Sequence, residues 1–426
     1  MRVGSSLALV LLVACSSGGT TNGIGTPMLG SAGTQTEDDS SSGEPESESV
    51  GGSDEEASSS GAPPAPGCMN GVVEVGELCF FELLYTENIP GASWVVSTSF
   101  DGDAHEDLAV AARMQGAVYV LFGDGEGNFF FDAFYEVGND AAIVAAGALD
   151  GWALPDLVTA NRGESSLSVL LNGGTGQFGA ETSVGLDAAP STMIAADFTN
   201  DGLTDLAVAH DDDMARVTIL LGSDTGLTQA GVLAITGGDA VGIAADDVDA
   251  DAIADLVLGL EGANEVVVMK GDGAGGFVES ARVSSGGEYP IAVRTLDLDG
   301  DGGEEIVVAN GFPSEAGVGN LQVIEHDGVA WVSGQLVLTE GAAAVDFGDF
   351  DADSDPDVVL STGAGGSVQV FVNDGAGALG VPDTFVLEPA GQPFGVIAAD
   401  FDENGAWDIA AADPTGSRLA ILMSEN

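Results

Sequence analysis

Asp349-Phe350-Asp351-Ala352-Asp353-Ser354-Asp355-Pro356-Asp357-Val358 places carboxylates at positions 1, 3, 5 and 9 of one short stretch. On a tight loop these side chains gather hard oxygen ligands around a single point, an arrangement that suits calcium better than any softer metal. The stretch therefore reads as a calcium loop.

Its shape returns six more times. The copies begin at Ser99, Ala148, Asp197, Asp247, Asp297, Asp349 and Asp400, 49 to 52 residues apart. Such a period is too long for most helical repeats and fits one four-stranded propeller blade per copy. The third copy shows the unit, with Met193-Ile194-Ala195-Ala196 as inner strand, Leu206-Ala207-Val208-Ala209 as second and Val217-Thr218-Ile219-Leu220-Leu221 as third. A glycine-containing turn, Gly222 to Gly226, then leads to an outer strand near Val232-Leu233-Ala234. The predicted fold is all-β: a seven-bladed β-propeller of four-stranded blades over residues 80–426.

Side-chain size follows the expected taper. Inner strands are rich in alanine, as in Ile143-Val144-Ala145-Ala146, while Phe129-Phe130-Phe131, Phe178, Phe277 and Phe385 are expected to fill the wider gaps between sheets. The last copy ends at Leu419-Ala420-Ile421-Leu422-Met423 with no fourth strand, and Phe80-Phe81-Glu82-Leu83-Leu84-Tyr85 precedes the first with no blade of its own. That segment is predicted to complete blade seven and so hide an edge.

The loops are not equal. Three keep all four acids: Asp247, Asp249, Asp251 and Asp255; Asp297, Asp299, Asp301 and Glu305; Asp349, Asp351, Asp353 and Asp357. Loop three offers Asp197, Asp201 and Asp205, loop seven Asp400, Asp402, Asn404 and Asp408, and loop one Asp101, Asp103 and Asp107. Loop two retains only Asp150 and Asp156, with Trp152 and Leu154 between them, and is expected to be empty. About five to six structural calcium sites follow. An EF-hand would need a bidentate Glu at position 12 and a helix after it, whereas Val208, Leu258, Val308 and Leu360 stand there within apolar strands.

The pattern D-[FLV]-[DT]-x-D-G-x-x-D-[LIV] resembles the FG-GAP and VCBS repeats of integrin-alpha-like propellers and bacterial surface proteins. Gly123-Asp124-Gly125-Glu126-Gly127-Asn128-Phe129 and Gly271-Asp272-Gly273-Ala274-Gly275-Gly276-Phe277 match the second VCBS hallmark, a glycine-rich turn closed by an aromatic. The resemblance covers residues 80–426 and implies a further backbone carbonyl ligand at position 7, from Asp355 in loop six.

Ahead of the repeats, residues 1–14 read as a signal peptide, with Arg2 before the short apolar run Leu7 to Ala14. Leu12-Val13-Ala14-Cys15 resembles the bacterial lipobox, which implies lipidation at Cys15 and export to the outer membrane or cell surface of a Gram-negative bacterium. Residues 15–66 are Gly, Ser and acidic, with little to bury, and read as a disordered stalk. In residues 67–79, Cys68 and Cys79 are expected to close a disulfide; their C-x-N-G-V-V-E-x-G-E-x-C pattern resembles a short cysteine-rich module of secreted myxobacterial proteins.

With 8 basic against 69 acidic residues and a formal charge of -61, the chain would repel nucleic acid and anionic headgroups, so membrane contact is expected through the lipid anchor alone. His105, His210 and His326 fall on three different blades, and neither G-x-S-x-G nor H-E-x-x-H occurs. The expectation is a non-enzymatic, monomeric binding or adhesion protein for an extracellular protein or glycan. A lectin-like propeller is the alternative, with Trp94, Trp152, Trp331 and Trp407 as stacking platforms. An accessory domain of a secreted hydrolase ranks below both. Arg113, Arg162, Arg216, Arg418 and Phe312, with Tyr289, Pro313 and Phe394, are expected on the face opposite the calcium loops, which becomes the candidate ligand face.

Overall fold

Runs of Val, Leu, Ile and Ala closed off by acidic or glycine-rich turns favour strands, and the chain builds its structure from little else. The computed structural model describes residues 78 and 80–424 apart from 153, 213–215, 224–225, 312–318 and 388–390. Seven four-stranded antiparallel sheets make up this part. Among the described residues the one helical segment is a single 3-10 turn, Gly363–Gly365. The signal peptide, the acidic linker, Cys15, Cys68, Cys79, Phe312 and Pro313 lie outside the described residues.

Blade one shows the plan, with Ala92–Thr98 innermost, then Asp107–Ala112, Ala117–Gly123 and Phe129–Glu136. Every second strand, from Asp107–Ala112 to Asp408–Asp413, is buried along its whole length. A sheet covered on both faces by its neighbours leaves its middle strands no solvent side, so these read as continuous apolar runs. Outer strands alternate between partly buried and exposed, as Phe129–Glu136 and Trp331–Thr339 do.

Ring closure follows the sequence expectation. Phe80–Glu87 pairs antiparallel with Arg418–Ser424, setting Leu84 opposite Ile421 and Tyr85 opposite Ala420, and becomes the outer strand of blade seven. First and last segments of the ring thus share one sheet.

Between blades a single contact recurs. The apolar residue at loop position 2 meets the residue that closes the next blade's glycine turn. Phe100 packs edge-on to Phe178, Phe198 to Phe277 and Phe401 to Phe129, with ring centroids 5.2 to 5.7 Å apart. Elsewhere the same two positions share a core cluster, Leu149 with Leu227, Leu298 with Leu379 and Val248 with Trp331, and Phe350 receives Phe80 from the closing strand. At all seven interfaces the two sides of this latch thus lie in one core cluster, and four of them meet ring to ring. Phe198→Ala should therefore cost about 3–5 kcal/mol, read as a lower denaturation midpoint in calcium and in chelator alike. A loss seen only without calcium would mean that the ring acts through the loop instead.

The aromatic run Phe129-Phe130-Phe131 corrects one expectation. Phe129 alone turns inward, whereas Phe130 and Phe131 are 59% and 55% exposed. An outer strand has a neighbour on one side only, and these two positions fall on its uncovered stretch.

Candidate metal loops and the opposite face

Each loop is wound so that its backbone supports its acids. In loop six the N–H groups of Asp353 and Ser354 donate to the two oxygens of Asp349 at 3.1 and 2.9 Å, and Asp355 N–H donates to Asp353 at 2.9 Å. Loops three to seven place left-handed backbone at positions 4 and 6, which loop five meets with Gly300 and Gly302. Loop six uses Ala352 (φ 59°) and Ser354 (φ 77°) there, a local strain that must be offset elsewhere in the loop.

Four loops bring three carboxylates together, with one oxygen from each lying within 4.8 Å of the others. They are Asp247, Asp249 and Asp251; Asp297, Asp299 and Glu305; Asp349, Asp351 and Asp353; and Asp400, Asp402 and Asp408. Loop one (Asp101, Asp103, Asp107) and loop three (Asp197, Asp201, Asp205) form no such group among the described residues. Loop two forms none either. Asn404, expected as a ligand in loop seven, donates its side-chain amide to Asp402 and to the Ser424 carbonyl, both at 3.0 Å, while its Oδ1 accepts the Ala406 N–H at 2.7 Å.

The donor set fits a hard dication. Asp351 is 2% exposed, and its Oδ2 is buried without a hydrogen-bond partner, as is Asp297 Oδ1. Buried carboxylate oxygens left so are costly unless a cation takes them. Burial, with the neighbouring charges of Asp353 and Asp349 added, pushes the Asp351 carboxyl up to about 6. Asp349, Asp351, Asp353 and Asp357 would hold the ion in loop six, where it would neutralise like charges and staple the turn.

Position 9 proves to be more than a metal ligand. Asp107, Asp156, Asp205, Asp357 and Asp408 each accept the N–H of the position-2 residue on one oxygen. The other oxygen takes an N–H at the end of the third strand, or just past it, and all ten bonds measure 2.7 to 3.0 Å. Glu305 makes the first of these bonds and Asp255 the second, each at 2.8 Å. Loop two keeps the full brace although it lacks acids at positions 1 and 5, so the fold alone gives this acid a role. Burial pushes Asp156, Asp205, Asp255 and Asp408 up to about 6, Asp107 and Glu305 to about 7 and Asp357 to about 8.

Glycine turns share the face of these loops. A Cβ on Gly176 would stand 3.1 Å from Cβ of Asp101 in the preceding blade, and one on Gly377 would stand 3.2 Å from Cβ of Asp299. The turn of each of these blades leans on the loop before it.

In an antiparallel blade alternate connections emerge at opposite ends, so the turns after second strands and the links between blades form the other face. A cavity of about 240 Å³ opens there, lined by Arg113, Arg162, Tyr289, Phe394, Trp94 and Glu261 among others. Five inner strands begin with a β-bulge, at Ser93, Ala142, Ser191, Val241 and Ile291, and all five residues line this cavity. No spacing in the sequence announced them. Deeper in the channel Arg294 lies among inner-strand residues. Burial lowers its pKa, and Asp346 on the neighbouring inner strand opposes that shift.

The expected ligand-face arginines part company here. Arg113 pairs with Asp140 at 2.7 Å and Arg162 with Asp211 at 2.6 Å, and both stay about one-third exposed at the cavity. Arg216 is tied to Asp212. Arg418 is a correction: only 4% exposed, it pairs with Asp413 at 3.0 Å and lies 4.2 Å above the Tyr85 ring. The closing strand covers it.

The histidines do not meet. His105 pairs with Glu403 of loop seven at 2.5 Å, His210 is buried against Thr218, and His326 sits edge-on to Trp331.

A seven-bladed ring with acidic loops on one face and a lined cavity on the other defines a repeat propeller with candidate cation loops. Residues 149–208, 247–308 and 349–411 match the family model described as an FG-GAP-like repeat, so the propeller carries FG-GAP-like repeats in these three stretches. No curated protein matches it. Solved structures similar to it include BBS1N in complex with ARL6DN, in crystals soaked with lead, at 12% identity and TM-score 0.58 over 83% of this chain and 98% of that one. Crystals of that complex soaked with mercury match at 12% identity and TM-score 0.55 over 80% and 97%. A protein from Lactobacillus plantarum matches at 17% identity and TM-score 0.52 over 71% and 86%. At these identities the likeness is one of fold.

Proposed function

We propose that the chain is a calcium-stapled, non-enzymatic binding propeller. In this reading it is held outside the cell by the lipid on Cys15 and meets a protein partner with its cation-free face. The carrying observation is the cavity at the mouth of the channel, where Arg113 and Arg162 stand beside Tyr289 and Phe394 in a chain otherwise poor in positive charge. Both arginines are held by half-exposed surface ion pairs, which contribute little and exchange readily for a ligand's own carboxylates. Arg and aromatic side chains around a concave site are the residue types that dominate binding energy at interfaces. The similar propeller BBS1N was crystallised in complex with ARL6DN, which supports a binding role for a ring of this kind.

A glycan is the second reading, favoured by Trp94 and Tyr289 in the cavity wall, where a sugar ring could stack. Calcium-loaded full-length chain applied to a glycan array and to an array of surface proteins separates the two. Whichever partner binds, Arg113→Glu with Arg162→Glu is expected to weaken it about tenfold or more. Unchanged binding by that pair would remove this face from the proposal.

A further inference from the structure

Lys270 is the only lysine in the 426 residues. It stands next to last in the third strand of blade four, Glu265–Gly271, just before the glycine turn. The equivalent residues of the other blades are Phe122, Leu171, Leu221, Glu325, Val372 and Met423, none of them cationic. From there its ammonium reaches across to loop four, contacting Asp249 and lying 2.9 Å from Asp251 Oδ2.

Loop four carries acids at all four positions and by sequence alone ranks with loops five and six. Asp247 is already engaged by the backbone, accepting the N–H groups of Asp251 and Ala252 at 2.9 and 2.7 Å. Asp255 keeps one buried oxygen without a hydrogen-bond partner, and the two remaining carboxylates, Asp249 and Asp251, are those that Lys270 holds. A dication entering between them would meet a fixed positive charge within a few ångströms and would have to expel it.

We infer that Lys270 is the resident counter-ion of loop four, so that this loop, despite its full acidic set, holds calcium least tightly among the four clustered loops. The inference rests on the calcium reading of those loops. Among the described residues no lysine or arginine pairs with an acid of loops five, six or seven, and His105 meets only Glu403, at position 4 of loop seven and outside its acidic group.

The test is a calorimetric titration of full-length protein with calcium alone. Lys270→Met is expected to add one titratable site, or to tighten the weakest site about tenfold or more. Asp249→Asn in the same background should abolish that gain, and Lys270→Arg should titrate as wild type. A Lys270→Met isotherm that superimposes on wild type overturns the inference. Should that variant fold poorly, the neutral, polar Lys270→Gln carries the same expectation and the same refutation. Absence of heat from the wild type would end the calcium reading of loops five to seven, whereas the inference is decided by the difference between variant and wild type.

Discussion

Deletion of residues 80–86 is expected to lower the melting temperature by about 10 °C or more and to promote aggregation. The strand it removes pairs along the length of Arg418–Ser424, a strand buried throughout, and brings Phe80 into contact with Phe350 and Phe385. Loss of one buried aromatic alone costs about 3–5 kcal/mol. The deletion also leaves a row of unpaired backbone groups on a flat apolar edge, a template for pairing with other chains. Arg418 would lose the Tyr85 ring that covers it. Scanning calorimetry with sedimentation velocity checks both effects, and an unchanged midpoint with a monomeric profile would show that the ring does not depend on this closure.

Chelation is the second large effect. If free calcium at one hundred times its dissociation constant adds about 2.7 kcal/mol per site, three retained ions contribute about 8 kcal/mol, or about 15 °C of melting temperature. The pH dependence should then invert between the two states. Without calcium the buried position-9 acids have folded-state pKa values above their unfolded ones, Asp357 up to about 8 and Asp107 and Glu305 to about 7. A carboxyl raised in this way binds protons more readily folded than unfolded. The stability it contributes is complete below the unfolded value near 4 and is lost as pH rises through 6 to 8. In chelator the midpoint should therefore fall from pH 5 to pH 8, while in calcium, which favours the ionised form, it should hold or rise. Melting curves at both pH values with and without chelator decide the matter; a midpoint in chelator that climbs with pH would contradict the burial assigned to these acids.

What could be read ahead of the structure was whatever repeats. Acids at fixed positions every 49 to 52 residues set blade number, strand order and the two faces, because a loop of that kind can join only two adjacent strands. Closure was legible from two incomplete ends. The failures concern single side chains whose surroundings come from distant sequence. Arg418 looked like part of an exposed turn because its cover, Tyr85, lies more than three hundred residues earlier. Phe130 and Phe131 looked like filling because hydrophobicity alone does not say which side of an outer strand has a neighbour. Position 9 looked like a pure ligand because its backbone partners carry no signature in their side chains. Lys270 was visible as the lone lysine, yet only the pairing of strands showed that it reaches loop four.

The latch gives the ring a property that no single blade has. Each hydrophobic key sits in one sheet and its keyhole in the next, so every blade holds half of two locks. No blade is therefore a spare part, and loosening one exposes oily surface on both sides of the gap. Such a head has no half-assembled form worth populating, and tolerates change only where it touches neither lock: on its rim and in its two mouths.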